Sequence, residues 1–183
     1  MMASRRWLLI LIFLGAFSCT MNLCTVPLVG FAAIAVSTLS RRQGVICLSV
    51  IWAVNQGLGF GLRGYPLDMS TVAWGVVMLG GALFALVLGH AIQRGGSTRP
   101  LTRPANFATR VASPLLTGFL AYELILWLAN FQLGTVGGFA PAVLGSVLLT
   151  NGLWALGLSL VFGVGDKSGW LLQSGRRSLP LFE

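Results

Sequence analysis

Residues 71–92, TVAWGVVMLGGALFALVLGHAI, decide the fold, since this run of 22 residues contains no Asp, Glu, Lys or Arg. At 1.5 Å per residue, a helix of this length is roughly 33 Å long, which matches the ~30 Å hydrocarbon core of a bilayer. The run is continuously apolar instead of alternating, as the strands of a membrane barrel would be. It therefore predicts a transmembrane α-helix.

The composition of the whole chain agrees with that prediction. Of its 183 residues, 56% are hydrophobic and only 9% are charged, and the mean hydropathy is +0.85. Soluble domains carry about 25% charged residues, so this chain could not cover itself with polar surface in water. Its length allows one domain, residues 1–183, with room for five or six helices and none for a soluble catalytic domain.

The remaining apolar runs place five more helices. The first run, Trp7–Ser40, is too long for one helix, and Asn22 and Pro27 suit a turn and the start of a second helix. Together the runs predict spans at 7–21, 27–39, 44–62, 71–92, 111–131 and 141–164.

The basic residues orient these spans. With six spans and a cytoplasmic N-terminus, Arg63 is the only one of the twelve Lys and Arg residues placed outside, whereas five spans leave three outside at best. The excess of positive charge on cytoplasmic loops therefore favours six. We predict an all-α, multi-pass protein of the bacterial inner membrane, a single bundle of six transmembrane helices with both termini cytoplasmic. Residues 93–110 form its main cytoplasmic loop, and residues 165–183 form a cytoplasmic tail.

The net charge of +8 has two further interpretations. The arginines of 93–110 either form a docking surface or only enforce the topology. Nucleic acid is not an expected partner, because no basic stripe with interleaved aromatic residues exists. The N-terminal segment also loosely resembles a processed signal, with Arg5 and Arg6 before an apolar stretch and Ala16-Phe17-Ser18 before Cys19.

No pattern of an enzyme is found. The chain lacks the HExxH, GxSxG and GxxxxGK motifs and has four acids in all. Cys19, Cys24 and Cys47 fit neither a disulfide framework nor a CxxC metal site, and His90 has no second histidine beside it. We expect no enzymatic activity and no resident cofactor.

Glu123 is the one acid inside a predicted span, and an ionisable group there needs a reason. Trp127 and Asn130 follow four and seven residues later, so they share its helical face. This stripe predicts either a ligand cavity that opens outward or an internal hydrogen bond from a protonated Glu123 to another helix.

Other polar residues also concentrate at midplane or toward the outside. Asn55 and Gln56 lie in a glycine-rich span that leads into the only charged outer loop, residues 63–68. Such amides either bond neighbouring helices or face a cavity, and Arg63 and Asp68 could form an exposed ion pair. The candidate ligand-binding residues are Asn55, Gln56, Tyr65, Asp68, Glu123, Trp127, Asn130 and Asn151.

In architecture the chain resembles the substrate-binding S-components of energy-coupling-factor vitamin transporters, which have six short helices, a first helix rich in small residues and an outward polar cavity. The basic connection 39–44 looks like theirs. The segment 52–60, followed by Gly64-Tyr65-Pro66 and Trp74-Gly75, is similar to the solitary cobalamin transporters called BtuM. The docking motif AxxxA of the first helix is absent in strict form; Gly15-x-x-x-Cys19 and Ala16-x-x-x-Thr20 stand in its place.

The resemblance implies a vitamin bound beneath the extracellular loops, and either solitary operation or a transmembrane coupling subunit with ATPases as partner. It also implies a cysteine that can ligate the cobalt of cobalamin, for which Cys24 is the candidate, with Cys19 as a further one. The leading hypothesis is an uptake protein that binds a small solute or vitamin, cobalamin among them, in an outward-facing pocket. The alternative is a non-catalytic structural or accessory subunit of a larger membrane complex.

Overall fold

A computed structural model describes residues 5–21, 26–95, 104–134 and 139–167 of the chain. These residues form six α-helices and no strand, as predicted. The helices are α1 (Arg5–Thr20), α2 (Leu28–Thr38), α3 (Arg41–Gly61), α4 (Met69–Gly95), α5 (Pro104–Leu133) and α6 (Pro141–Lys167).

Four of the helices, α3 to α6, are long and apolar enough to cross a membrane. This finding supports the prediction of an integral membrane protein. The other two are shorter: α1 has 16 residues and α2 has 11, or roughly 24 and 16 Å at 1.5 Å per residue. Six complete crossings therefore stay a prediction.

The short helix α2 is the centre of the bundle. Ten of its eleven residues are buried, and it packs against α3, α4, α5 and α6. The Phe31 ring lies 5.5 Å from that of Trp154 on α6. Its all-apolar surface explains this position, because a helix that is hydrophobic all round is stable only when other helices or lipid surround it.

Contacts along the helices show that they run alternately up and down. Trp7, near the start of α1, donates its indole N–H to Thr38 at the end of α2 (2.9 Å), and its ring lies 5.1 Å from that of Phe162 near the end of α6. We call this end, where α3 also begins, the inner end. The opposite end, which carries the connection 62–68 between α3 and α4, is the outer end.

Small residues bring α4 and α5 close together. A Cβ added at Gly81 would lie 2.9 Å from the Tyr122 ring, and one at Gly118 would lie 3.2 Å from Ala85. A Cβ at Gly89 would likewise lie 3.2 Å from Pro114 of α5, so Gly81, Ala85 and Gly89, which recur at every fourth position, form one packing stripe. Backbones that approach this closely maximise van der Waals contact, the main attraction between helices in lipid.

Helix α5 begins at Pro104, seven residues before the predicted span, because proline is tolerated in a helix's first turn. A second proline, Pro114, lies inside α5 and has no N–H for the carbonyl of Arg110, four residues earlier. Side chains from two other helices lie at that carbonyl: Gln93 Nε2 donates to it over 2.9 Å, and Ser37 Oγ, whose single proton can go to it or to the Ala33 carbonyl, is 2.9 Å from each. The proline thus creates a polar link that joins α2, α4 and α5.

Candidate functional site

The last turn of α1 packs against α3 through the buried residues Ser18 and Cys19, whereas Thr20 is exposed. The Cys19 thiol is 3.8 Å from the carbonyl oxygen of Ile51, which is in the middle of α3. Nearby hydroxyls donate to carbonyls of the last turns, Ser18 Oγ to Gly15 over 2.7 Å and Thr20 Oγ1 to Phe17 over 2.8 Å. The carbonyls in the last turns of α1 are thus supplied with donors.

Arg63 completes the C-terminus of α1. From the outer connection between α3 and α4, its guanidinium donates a hydrogen bond to the carbonyl of Cys19. A cation is favourable at a helix C-terminus, where the helix dipole is negative. Arg63 and Asp68, which from the sequence could form an exposed ion pair, are both described by the structure, and no ion pair forms between them.

The N-terminus of α2 lies inside the bundle, and Asn151 of α6 serves it. The residue before the helix, Pro27, makes no side-chain cap. Asn151 Oδ1 accepts the N–H of Gly30 over 2.8 Å, and its Nδ2 donates to the carbonyl of Val147 over 2.9 Å. Asn151 is only 2% exposed, so its amide acts as a cap supplied from another helix, in place of the missing local one.

Gly30 is required for this contact. A Cβ at that position would lie 2.6 Å from the carbonyl oxygen of Asn151, closer than real Cβ atoms come to other atoms. Asn151 was predicted to bind ligand, and its side chain is engaged within the protein on both sides.

Glu123 lies beyond the start of α2 toward the outer end, on the flank of α5 that faces away from α4. Gly118 contacts Val29 of α2, and the Tyr122 ring packs against Gly81 of α4. Glu123 is one residue farther along than Tyr122, or about 100° around the helix, and so does not face α4.

The Glu123 carboxyl is half-buried and, among the residues that the structure describes, has neither a hydrogen bond nor an ion pair. The predicted alternative of an internal hydrogen bond to another helix is therefore not seen. Asn130 follows on the same flank, also half-buried. Trp127 is 46% exposed, and its ring meets the Phe131 ring edge-on with 4.7 Å between centroids.

A second polar group lies in the seam between α3 and α4. Trp52 donates its indole N–H to the carbonyl of Gly75 over 2.7 Å. A Cβ on Gly75 would come within 3.0 Å of Gln56 Oε1, so the Gln56 amide lies directly against this glycine. Asn55 beside it is half-buried. Within the described residues, no hydrogen bond joins this group to Glu123.

Tyr65 and Asp68, the two candidate ligand-binding residues of the outer connection 62–68, both make contacts that stabilise the structure. The Tyr65 ring covers Gly59, where a Cβ would lie 2.7 Å from the ring, and Gly64 before it has a φ of +66°. Asp68 Oδ1 accepts the N–H of Thr71 over 2.7 Å and so caps the start of α4. This hydrogen bond from the Thr71 backbone lowers the pKa of Asp68.

Two of the three cysteines, Cys19 and Cys47, are among the described residues. Cys24, the predicted cobalt ligand, lies outside them. Cys19 and Cys47 are buried free thiols. Within the described ranges no group of three or more His, Cys, Asp or Glu comes together.

No protein-family model, no curated protein and no solved structure matches this chain. The likeness to vitamin-transporter S-components therefore stays a prediction. The contacts that sequence reasoning missed, Arg63 to Cys19 and Gln93 to Arg110, join residues far apart in sequence. Of these two contacts, only the one between Gln93 and Arg110 could have been anticipated from the sequence, because Pro114 leaves the carbonyl of Arg110 without its helical donor.

Proposed function

We propose that α3 to α6 cross the membrane while α1 and α2 form a helical hairpin that enters from the inner, cytoplasmic side and returns to it. Both helices are shorter than the ~30 Å hydrocarbon core, and a side chain from a distant part of the chain bonds one end of each. The hairpin keeps the charge asymmetry intact, since Arg5 and Arg41 stay on one side and Arg63 on the other. Helical ends at membrane depth are tolerated only where protein or a water-filled cavity surrounds them.

We further propose that the protein binds a small solute between the outer halves of its helices and carries it across the inner membrane. The observation that supports this most directly is the half-buried carboxyl of Glu123, which has no partner within the described part of the chain. An ionisable group within a membrane span is costly, and it marks a substrate or ion site by default. Helix packing alone does not account for it, because its carboxyl bonds no other helix among the described residues.

The tip of the hairpin adds a second support. Discontinuous helices that end near midplane are a recurrent feature of transporter binding sites, where their termini face the substrate. Glu123 is five residues past Gly118, the neighbour of Val29 in the first turn of α2, and so lies about 7 Å farther toward the outer end. A solute in this space would meet a carboxylate, the start of α2, and the aromatic surface of Trp127.

Titration of the purified protein with a panel of vitamins, cobalamin first, tests this function. We expect one of them to bind, and Glu123→Gln to weaken that binding by about tenfold, as loss of one hydrogen bond to a charged group would. Asp166→Asn is the matched control, since it removes a carboxylate from the exposed inner end of α6 and should leave affinity unchanged.

Two results would overturn the proposal. One is absence of binding across the panel together with stable co-purification of a larger complex, which would favour the accessory-subunit alternative. The other is equal affinity of wild type and Glu123→Gln, which would remove the carboxyl from the site.

A further inference from the structure

An apolar groove lies between α1 and α6, in the inner half of the bundle. It encloses about 320 Å³ and is lined by Leu14 of α1 and by Leu153, Trp154, Gly157, Leu158 and Val161 of α6. Gly157 gives it depth, because nothing lies within 4 Å of where a Cβ would be. Leu153 and Val161 are 59% and 45% exposed, so the groove is open toward the surroundings of the bundle.

In a membrane these helices are surrounded by lipid. Along the membrane normal, the groove extends over one leaflet. Leu14 is eight residues after Arg6, or about 12 Å along α1. A leaflet contributes roughly half of the ~30 Å hydrocarbon core. The groove therefore begins near the headgroup level of the inner leaflet and ends near midplane.

The positive charge near the inner end of the groove indicates a lipid with an anionic headgroup. Arg5 and Arg6 are both exposed, and the ring of the next residue, Trp7, packs at a tilt against that of Phe162 on α6. The two arginines thus lie at the inner end of α1, within one turn of its contact with α6. Basic side chains at this level attract anionic lipid headgroups.

We propose that this groove is a binding site for one anionic phospholipid of the cytoplasmic leaflet, with an acyl chain along Gly157 and its phosphate at Arg5 and Arg6. The volume equals roughly ten water molecules, which suits a stretch of a single hydrocarbon chain. A helix of a partner protein is about 10 Å wide and would need a larger groove than a single hydrocarbon chain does. The site is independent of the solute site proposed above, which lies at the outer half.

Photo-crosslinking in nanodiscs tests the proposal. The probes are phosphatidylglycerol and phosphatidylcholine that carry a diazirine in one acyl chain, and labelled positions are mapped by peptide mass spectrometry. We expect phosphatidylglycerol to label Leu14 and the Leu153–Val161 segment several-fold more than phosphatidylcholine does. Replacing both Arg5 and Arg6 by Gln should abolish this preference, so that the two probes label the groove equally.

Gly157→Leu fills the groove and should abolish the preferential labelling. Gly145→Leu is its control, because that glycine also has nothing within 4 Å but lies outside the groove on the same helix. Size-exclusion profiles check that both variants are folded, and Gly157→Ala, a smaller change, replaces Gly157→Leu if the latter is not.

Three results would overturn the proposal. They are equal labelling by the two probes, labelling of the groove no stronger than that of the exposed α5 residues Leu120 and Leu124, and unchanged labelling after Gly157→Leu.

Discussion

Replacing Gly30 by alanine tests whether the buried start of α2 holds the bundle together. The new Cβ would lie 2.6 Å from the backbone carbonyl oxygen of Asn151, and backbone cannot rotate away as a side chain can. Alanine is the better helix former by up to about 1 kcal/mol, whereas overpacking of a tight interior costs about 1–3 kcal/mol. The displacement also stretches the hydrogen bond from Gly30 N–H to Asn151, worth about 0.6 kcal/mol on average in a membrane.

The net expectation is a loss of about 1–2 kcal/mol for Gly30→Ala. Gly152→Ala is the matched control: it makes the same chemical change one residue from Asn151, where nothing lies within 4 Å of the added atom. It should be neutral or stabilise by up to about 1 kcal/mol. Unfolding free energies from titration of the purified protein with sodium dodecyl sulfate give both values. Equal stability of the two variants would refute the assigned contact between α2 and α6.

Three further predictions concern other links. Gln93→Leu should destabilise the protein by about 0.5–1 kcal/mol in the same titration, because the carbonyl of Arg110 loses its donor from α4; an unchanged value would show that this bond contributes nothing. Trp7→Phe loses both the indole N–H to Thr38 and part of a fully buried ring, and should therefore cost more than Gln93→Leu; an unchanged stability would exclude both contributions. Asp68→Ala removes the cap of α4, so the variant should melt below wild type at neutral pH. Because the folded-state pKa of Asp68 is lowered, the cap's contribution is present above the usual carboxyl pKa of about 4 and is lost as pH falls through the lowered value. Melting curves across acidic pH should therefore converge, and a constant gap would exclude the carboxylate as the cap.

The sequence by itself determined the class of protein and most of its helices. An uninterrupted apolar run of about 20 residues forms a helix in lipid, because every backbone N–H and C=O there must be hydrogen-bonded within the segment. For that reason α3, α4 and α6 begin and end within three residues of the predicted spans. The stripe Gly81-Ala85-Gly89 was equally readable, since small residues at every fourth position share one helical face.

Only the tertiary structure decided what the isolated polar residues do. Asn151 and Glu123 look alike in sequence, each a polar side chain in an apolar span, yet one caps a helix 121 residues away and the other has no partner among the described residues. The difference depends on whether a helix end lies next to the polar side chain in the folded bundle, and the local sequence does not determine this. The same reason applies to α1 and α2: their composition predicted two spans, whereas the side chains that bond their ends, Arg63 and Asn151, come from distant parts of the chain.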